Sequence, residues 1–363
     1  MINKTTKKYF GSIKSSSSVN KLGKIRLDIA EGMFEPPRRL VSKLQKFELD
    51  NISILPDRNS KNLKSAIGEF LSVLPENISV FSGSDEVIEL IPRLYLNEND
   101  TSVCLVPIFS RMITSPKKVG AKVKLFPLKK INSYRVSDKS FNQLTKYISK
   151  LRPKVLWICS PNNPTGIVVD LKLTRKLVNL FPQTLFVVNE VYQEFYSLDH
   201  NKSVVSLVQS KHNVLVIRSF SKAFGLAGIR VGYVVAHQSR ISEIERFRIM
   251  YNISSVSQIL AVEALKDTEY VTDLVKTVAS ERERLLDAIS STCPNIEFVS
   301  GSTTNLILMK HRSKDLFLEL YRKGAVASDW RNAEGVSGEG FVRISIGQRD
   351  HNNKIIEIIK EIN

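Results

Sequence analysis

The densest run of chemically capable residues is Arg218-Ser219-Phe220-Ser221-Lys222-Ala223-Phe224-Gly225-Leu226-Ala227-Gly228-Ile229-Arg230-Val231-Gly232-Tyr233. A lysine flanked by small hydroxyl residues, with an arginine further along, suits an amine nucleophile held beside a phosphate. Burial and nearby cations lower a lysine's pKa and make its amine nucleophilic. The hydroxyls of Ser219 and Ser221 and the Arg230 guanidinium suit phosphate oxygens. A basic loop around a glycine turn is the plainer alternative, but this pattern is longer than such a loop requires.

Three shorter segments accompany it. Phe81-Ser82-Gly83-Ser84-Asp85-Glu86 opens a helix; Ser82 and Asp85 have capping-box spacing, and Gly83 lets backbone N–H groups approach an anion. Alone, it reads as a well-capped helix. Ser160-Pro161-Asn162-Asn163-Pro164-Thr165-Gly166 follows an apolar strand and presents asparagine amides in a turn fixed by prolines and glycine. Val188-Asn189-Glu190-Val191-Tyr192 ends another apolar strand and sets Asn189 and Tyr192 at the same edge. In isolation, a strand-end asparagine and tyrosine are ordinarily structural.

The surrounding periodicity supplies the elements that position these residues. Leu63–Val73 reads as an amphipathic helix, and Val87–Tyr95 continues one that starts near Ser84. Strands are expected at Ser102–Val106, Lys122–Phe126, Val155–Ser160, Thr184–Val188, Val214–Ser219 and Gly232–Ala236. Apolar on both faces and separated by helix-sized segments, they predict an α/β fold with a mostly parallel sheet flanked by helices. In such sheets the ligand crevice lies outside the carboxyl ends of the strands, where the four segments fall. After Ile253 the pattern changes to helices at Ser257–Leu265 and Tyr270–Ile289, then strands at Ile296–Val299, Asn305–Met309 and Gly340–Ile346 around a helix at Lys314–Lys323. A closing helix follows. The expected organisation is a flexible basic arm over 1–25, a segment over 26–50 joining the small domain, a large domain over 51–255 and a small α+β domain over 256–363.

Composition narrows the function classes. The 363 residues are 42% hydrophobic and 25% charged, the balance of a soluble globular protein. No apolar run reaches the roughly 18 to 20 residues that cross a bilayer, and Met1–Lys24 lacks the apolar core of a secretory signal. Cys104, Cys159 and Cys293 are odd in number and widely spaced, without metal-site or disulfide patterning, which points to the cytoplasm; Cys104 and Cys159 sit in apolar runs and read as core. The net charge of +17 is spread along the chain rather than clustered. No zinc-finger, basic-zipper or RNA-binding pattern appears, so a nucleic-acid partner is not expected, and attraction of anionic substrates explains the charge equally well; charge alone does not choose a function.

Together the four segments resemble fold type I pyridoxal-phosphate (PLP) enzymes, specifically the class I/II aminotransferases and, within them, the histidinol-phosphate aminotransferases. The resemblance runs from about Leu27 to the C-terminus. It implies that Lys222 forms a Schiff base with PLP and later shuttles a proton, and that Gly83, Ser84, Asp85, Ser219, Ser221 and Arg230 hold the cofactor phosphate. Phe109 takes the position of the aromatic that stacks on the cofactor ring, and Asn163 and Tyr192 that of groups bonded to its O3′. Arg343, in Phe341-Val342-Arg343-Ile344-Ser345, would clamp the carboxylate or phosphate of a substrate. An amino donor and a 2-oxo acid are the implied partners, and a homodimer the implied assembly.

Several positions depart from the family pattern. Asn189 stands where the family has an aspartate facing the ring nitrogen, which predicts a slow transaminase or chemistry less dependent on a cationic ring. Leu55 replaces a tyrosine, and Ala30-Glu31-Gly32 replaces Asn-Glu-Asn. Ser328 stands where a second substrate-phosphate arginine is often found; Arg331 is the nearby candidate to compensate, unless Trp330-Arg331 simply packs on the surface. Two further readings are a PLP decarboxylase or lyase resembling the threonine-phosphate decarboxylases, and a degenerate paralogue that binds PLP or a partner without catalysis.

Overall fold

The computed structural model describes residues 23–30, 34–46, 53–130 and 133–363; most of the basic arm, together with Glu31 and Gly32, lies outside them. The first elements among the described residues are β1 (Ile25–Arg26), α1 (Arg38–Gln45) and α2 (Lys61–Leu71). It continues through β2 (Ile78–Phe81), α3 (Ser84–Tyr95), β3 (Thr101–Val106), α4 (Arg111–Lys118), β4 (Lys122–Pro127), α5 (Asp138–Leu151), β5 (Val155–Cys159), α6 (Leu171–Leu180), β6 (Leu185–Asn189), β7 (Val214–Ser219) and β8 (Gly232–Ala236). These strands form one sheet in the order β2-β8-β7-β6-β5-β3-β4.

Strands β4, β3, β5, β6 and β7 run parallel. Every residue of β5, β6, β7 and β8 is buried, as expected where helices cover both faces of a sheet. At the edge, β4 instead exposes Lys122 and Lys124, charges that discourage pairing with another chain. The apolar runs locate these strands to within a residue or two. Two features of the sheet differ from the sequence expectation. β8 is antiparallel to both neighbours, and β2 was not expected as a strand, being only four residues between a short helical turn and the Gly83 turn.

The capping box expected from Ser82 and Asp85 does not form. Gly83, at φ 84°, is itself the N-cap and makes no side-chain cap bond. The Ser82 N–H donates to Glu86 Oε2 at 2.5 Å instead. Positive φ moves the cap one residue on, so the acidic partner also moves, from Asp85 to Glu86.

Beyond β8 come α7 (Gln238–Glu245), α8 (Ser255–Leu265), the long α9 (Thr268–Thr292), β9 (Ile296–Phe298), β10 (Leu306–His311), α10 (Leu316–Arg322), β11 (Ala325–Val326), β12 (Ser328–Asp329), β13 (Val342–Ser345) and α11 (Arg349–Ile362). An antiparallel sheet of order β12-β13-β10-β9 is the centre of this part. The start of the chain is joined to it: β1 pairs in parallel with β11, and Ser345 N donates to the Leu27 carbonyl at 3.1 Å. The two sheets approach at the Ser160–Gly166 turn, where Thr303 N donates to Gly166 O at 3.0 Å. A Cβ on Gly166 would stand 1.9 Å from Ser302 Oγ; only glycine admits that approach.

Candidate active site

A cavity of about 780 Å³ opens at the carboxyl ends of β3, β5, β6 and β7 and is closed on its other side by Asp28–Ala30, Ser328–Trp330, Asn332–Glu334 and Arg343. Strand order reverses between β3 and β5, which parts the connections and leaves a crevice there. Ile108 and Phe109 follow β3, Asn163 follows β5, Asn189 and Tyr192 close β6, and Ser221 and Lys222 follow β7; all line the cavity.

Lys222 is partly buried, and its Nζ donates to the Ala30 carbonyl at 2.9 Å. The same Nζ lies 5.6 Å from the centre of the Tyr192 ring. One end of the cavity carries the first residues of α3, Ser84 and Asp85, together with Ser221 and Arg230. A helix start offers unpaired N–H groups and a positive dipole end to an anion. Two glycines shape that end. A Cβ on Gly83 would stand 2.4 Å from Arg230 Nη2, and one on Gly232 2.4 Å from Ser84 N. Gly83 and Ser219 do not line the cavity themselves. Ser219 Oγ accepts from Ser221 N at 3.1 Å and donates to the Val231 carbonyl at 3.4 Å, so it shapes the Ser221–Lys222 turn. The Asp85 carboxylate is 3.5 Å from Arg111 Nε, which offsets its charge near an anion site.

Across the cavity, Arg343 is buried, with Nη1 donating to Asn163 Oδ1 at 2.8 Å and Nη2 to the Asp28 carbonyl. Among the described residues its Nε has no hydrogen-bond partner. Burial holds this guanidinium below its usual pKa, with the Tyr192 phenol and Asp28 opposing. Asn163 therefore spends its oxygen on Arg343 and keeps its amide N–H groups for another ligand. Burial also pushes the Tyr192 phenol up, against Arg343, so it is a protonated donor at neutral pH. Asn189 is buried at the end of β6, and its Oδ1 accepts from Val191 N at 3.2 Å. That bond turns the NH2 half of the amide toward the remaining space.

Other sequence expectations are revised here. Trp330 is buried, lines the cavity and donates from Nε1 to Ser328 Oγ at 3.1 Å, so it does not pack on the surface. Arg331 does not line the cavity: its Nε and Nη2 bond Asp329, at 3.0 and 2.8 Å, and its Nη1 bonds Asp315. Cys159 reads as core from its apolar run and is buried, yet it also lines the cavity; burial pushes its thiol up to about 12. The Ala30 carbonyl on Lys222 is a backbone contact, for which no side-chain signal exists.

Behind the wall that carries Asn189 and Lys222 lies a charge cluster. Arg218 is 1% exposed, with Nε 3.1 Å from Glu190 Oε2, Nη1 2.7 Å from Glu194 Oε1 and Nη2 2.9 Å from Ser203 Oγ. Glu190 also accepts from Ser203 Oγ at 2.6 Å and Val204 N at 2.8 Å. Burial opposes the charge on Arg218, but Glu190 and Glu194 outweigh it and hold the guanidinium above its usual value. Side chains alternate along a strand, so Glu190 and Arg218 point away from the face that carries Asn189 and Ser219.

The α3 start, Ser221, Arg230, Phe109 and Lys222 line one cavity, a set of donors, aromatic ring and amine whose chemistry fits a phosphorylated aromatic aldehyde. The open N–H groups at the α3 start and the space left by Gly83 for Arg230 are the features that fit a phosphate. Among the described residues there is no cluster of metal-ligating side chains and no helix long and apolar enough to cross a membrane.

Comparison with known proteins agrees with this arrangement. Residues 23–359 match the family described as aminotransferase class I and II. The histidinol-phosphate aminotransferase of Thermoanaerobacter pseudethanolicus is 33% identical over 339 residues, covering 93% of this chain and 92% of that protein. That of Ruminiclostridium cellulolyticum is 30% identical over 336 residues, 92% and 91% of the two chains. The crystal structure of the histidinol-phosphate aminotransferase from Clostridium acetobutylicum superposes with a TM-score of 0.84 at 21% identity, covering 93% of this chain and 98% of that one. The Sinorhizobium meliloti enzyme in complex with pyridoxal-5'-phosphate gives 0.82 at 20% identity, covering 94% and 92%.

Proposed function

The chain belongs to the class I and II aminotransferases, and from that premise we propose that it moves an amino group between an anionic amino acid or amine and a 2-oxo acid, with Lys222 as the residue that carries PLP. What supports this is that Lys222 lines one cavity together with Ser84 and Asp85 at the α3 start, Ser221, Arg230 and Arg343.

When bound, the cofactor supplies a carbonyl that captures amines and a ring that withdraws electrons from the neighbouring carbon. The α3 N–H groups, Ser221 and Arg230 bind its phosphate, with Ser219 and Gly83 shaping that cup. Phe109 forms a wall for its ring, and Asn163 Nδ2 and the Tyr192 hydroxyl hold its O3′ edge. Asn189 faces the ring nitrogen with an N–H rather than a charge. Lys222 Nζ, oriented by the Ala30 carbonyl, would be the cofactor's attachment point and the base that moves a proton at the reacting carbon. Arg343 orients that carbon by gripping the substrate anion.

The same family membership supports a homodimer. Ile54 and Leu55, 67% and 69% exposed, and Phe247, Ile249 and Met250, 65%, 67% and 56% exposed, form two apolar stretches. Arg248 Nη2, donating to the Arg58 carbonyl at 2.7 Å, ties the two stretches together. Exposed apolar surface of this extent favours a partner. Three buried free cysteines fit a cytoplasmic enzyme. The division at residue 255 follows the two sheets, whose strands end at Ala236 and resume at Ile296.

An absorbance scan of the protein with PLP tests the assignment. The band of lysine-bound cofactor is expected in the natural chain, absent in Lys222→Ala, and converted to that of the aminated cofactor by a suitable donor. An unchanged band in Lys222→Ala would sink it.

A further inference from the structure

We propose that the face formed by the edge strand β4 and the outer side of α5 binds a nucleic-acid duplex through its phosphates, without reading sequence. This second activity is independent of the PLP chemistry above.

Counted by segment rather than along the whole chain, the net charge of +17 proves to be concentrated. Residues 101–169 hold thirteen Lys and Arg against one acid, Asp138, and residues 1–26 hold seven against none. Everywhere else, 33 Lys and Arg are outnumbered by 35 acids. A lysine-rich composition would raise the charge throughout, so this segregation has a local cause. Residues 1–22 lie outside the described residues and form no part of the site.

The fold gathers the 101–169 charges at one margin. This segment supplies β3, α4, β4, α5 and β5, and β4 is the last strand of its sheet. Lys122, Lys124 and Phe126 share one face of β4, because side chains alternate along a strand. On that face the Tyr147 ring of α5 lies 5.6 Å from the Phe126 ring, and its hydroxyl donates to the Leu125 carbonyl at 3.1 Å. With Leu144 and Ile148 buried on its inner side, α5 turns Lys139, Gln143, Lys146 and Lys150 outward along a single exposed stripe. Arg152 follows as its C-cap. The amino ends of β4, β3 and β5 meet beside it, where Lys122 N donates to the Asp100 carbonyl at 2.7 Å and Lys154 N to the Thr101 carbonyl at 2.9 Å. The Lys154 side chain is offset by Asp100 at 2.7 Å. Among the described residues, Lys122, Lys124, Lys139, Lys146, Lys150 and Arg152 form no ion pair, and all six are exposed.

Other roles fit less well. Of the thirteen cations Lys117 lines the cavity and the rest do not, so substrate steering leaves them unexplained. Guarding the open strand edge needs Lys122 and Lys124 but not the α5 stripe. Among the described residues of 101–169 no large hydrophobic side chain is exposed. The apolar side of α5 is spent on β4, leaving none for a bilayer, and there is no aromatic anchor for a protein interface, where lysine is depleted. Exposed Asn142, Gln143 and Ser149 stand among the lysines, and cations mixed with neutral hydrogen-bonding groups are what a phosphodiester backbone takes. At about 1.5 Å per residue Lys139 to Lys150 spans roughly 17 Å, the axial rise of about five phosphates on one strand.

Fluorescence anisotropy of the full chain with PLP, using labelled DNA and RNA duplexes of arbitrary sequence, provides the test. At about 50 mM salt one of them should bind with a Kd of about 10 μM or tighter, weakening roughly five-hundredfold by about 200 mM for about five phosphates. The triple variant Lys139→Gln, Lys146→Gln, Lys150→Gln should lower the log–log salt slope by about 2.7, at about 0.9 per phosphate contact. Its cofactor band and melting temperature should match the parent's. Mixed phosphatidylserine–phosphatidylcholine vesicles and polyglutamate, at matched charge, should compete less well than unlabelled duplex. A Kd weaker than about 100 μM for both duplexes at about 50 mM salt would overturn the proposal. So would a slope unchanged in the triple variant, which would put the binding elsewhere on the chain, or vesicles or polyglutamate competing as well as duplex.

Discussion

Lys222, Asn189 and Asn163 leave the ends of adjacent strands of one sheet, each a few residues from a fully buried apolar run. Arg343, Ser328 and Asp28 face them from the opposite wall, where the Arg343–Asp28 contact joins residues 315 apart in sequence. The first wall is fixed by the sheet and by the Arg218 cluster behind it. The second is held by short strands and by the pairing of β1 with β11, two residues each. Substitutions behind the first wall should therefore change folding and cofactor binding together, whereas those on the second should change substrate use alone.

The largest effect is expected from Arg218→Ala. It would strand Glu190 and Glu194 without their cation in a region 2% exposed, and breaking a buried pair on one side costs about 3 to 5 kcal/mol. Urea unfolding of the cofactor-free protein measures this directly. A loss under about 1 kcal/mol would mean that the cluster is not what holds the wall. Arg343→Gln ranks next. It removes the charge but keeps an N–H near Asn163, and should raise the half-saturating donor concentration roughly a hundredfold, with PLP affinity changing by less than about threefold. A parallel collapse of PLP affinity would erase the distinction between the walls.

The same division separates what was legible in the sequence from what was not. The cofactor wall was readable because strand burial writes itself as continuous apolar runs, and because Lys222, Ser221 and Arg230 lie in one contiguous segment. The substrate wall depended on distant pairings. Arg331 looked like a spare cation until Asp315, far from it in the chain, was seen to bond it. Trp330 could be assigned to the surface or the cavity only once β12 was paired with β13. The Ala30 carbonyl that meets Lys222 carries no residue-type signal, and neither does the direction of β8, antiparallel to both β2 and β7, since periodicity reports burial and not strand direction.

Asn189 is the exception on the first wall: legible, well held and yet of the wrong charge for the family. Its oxygen is committed to Val191 N, so the group left for the ring nitrogen is a donor, which favours the unprotonated ring. An aspartate could keep the Val191 bond with one oxygen and offer the other as an anion. Contact with an opposite charge is worth about 1.4 to 4 kcal/mol to a protonated ring nitrogen. If part of that, about 1.4 kcal/mol, reaches the barrier, Asn189→Asp should speed conversion of the cofactor by donor about tenfold. The cofactor-free variant should also be less stable than its parent, because the new carboxylate is buried without a cation, and PLP should restore that stability. Single-turnover absorbance with a carboxylate donor, alongside melting with and without PLP, reads both consequences. An unchanged rate with restored stability would show that the charge is accepted but is not what limits the reaction. No restoration would show that Asn189 does not face the ring nitrogen.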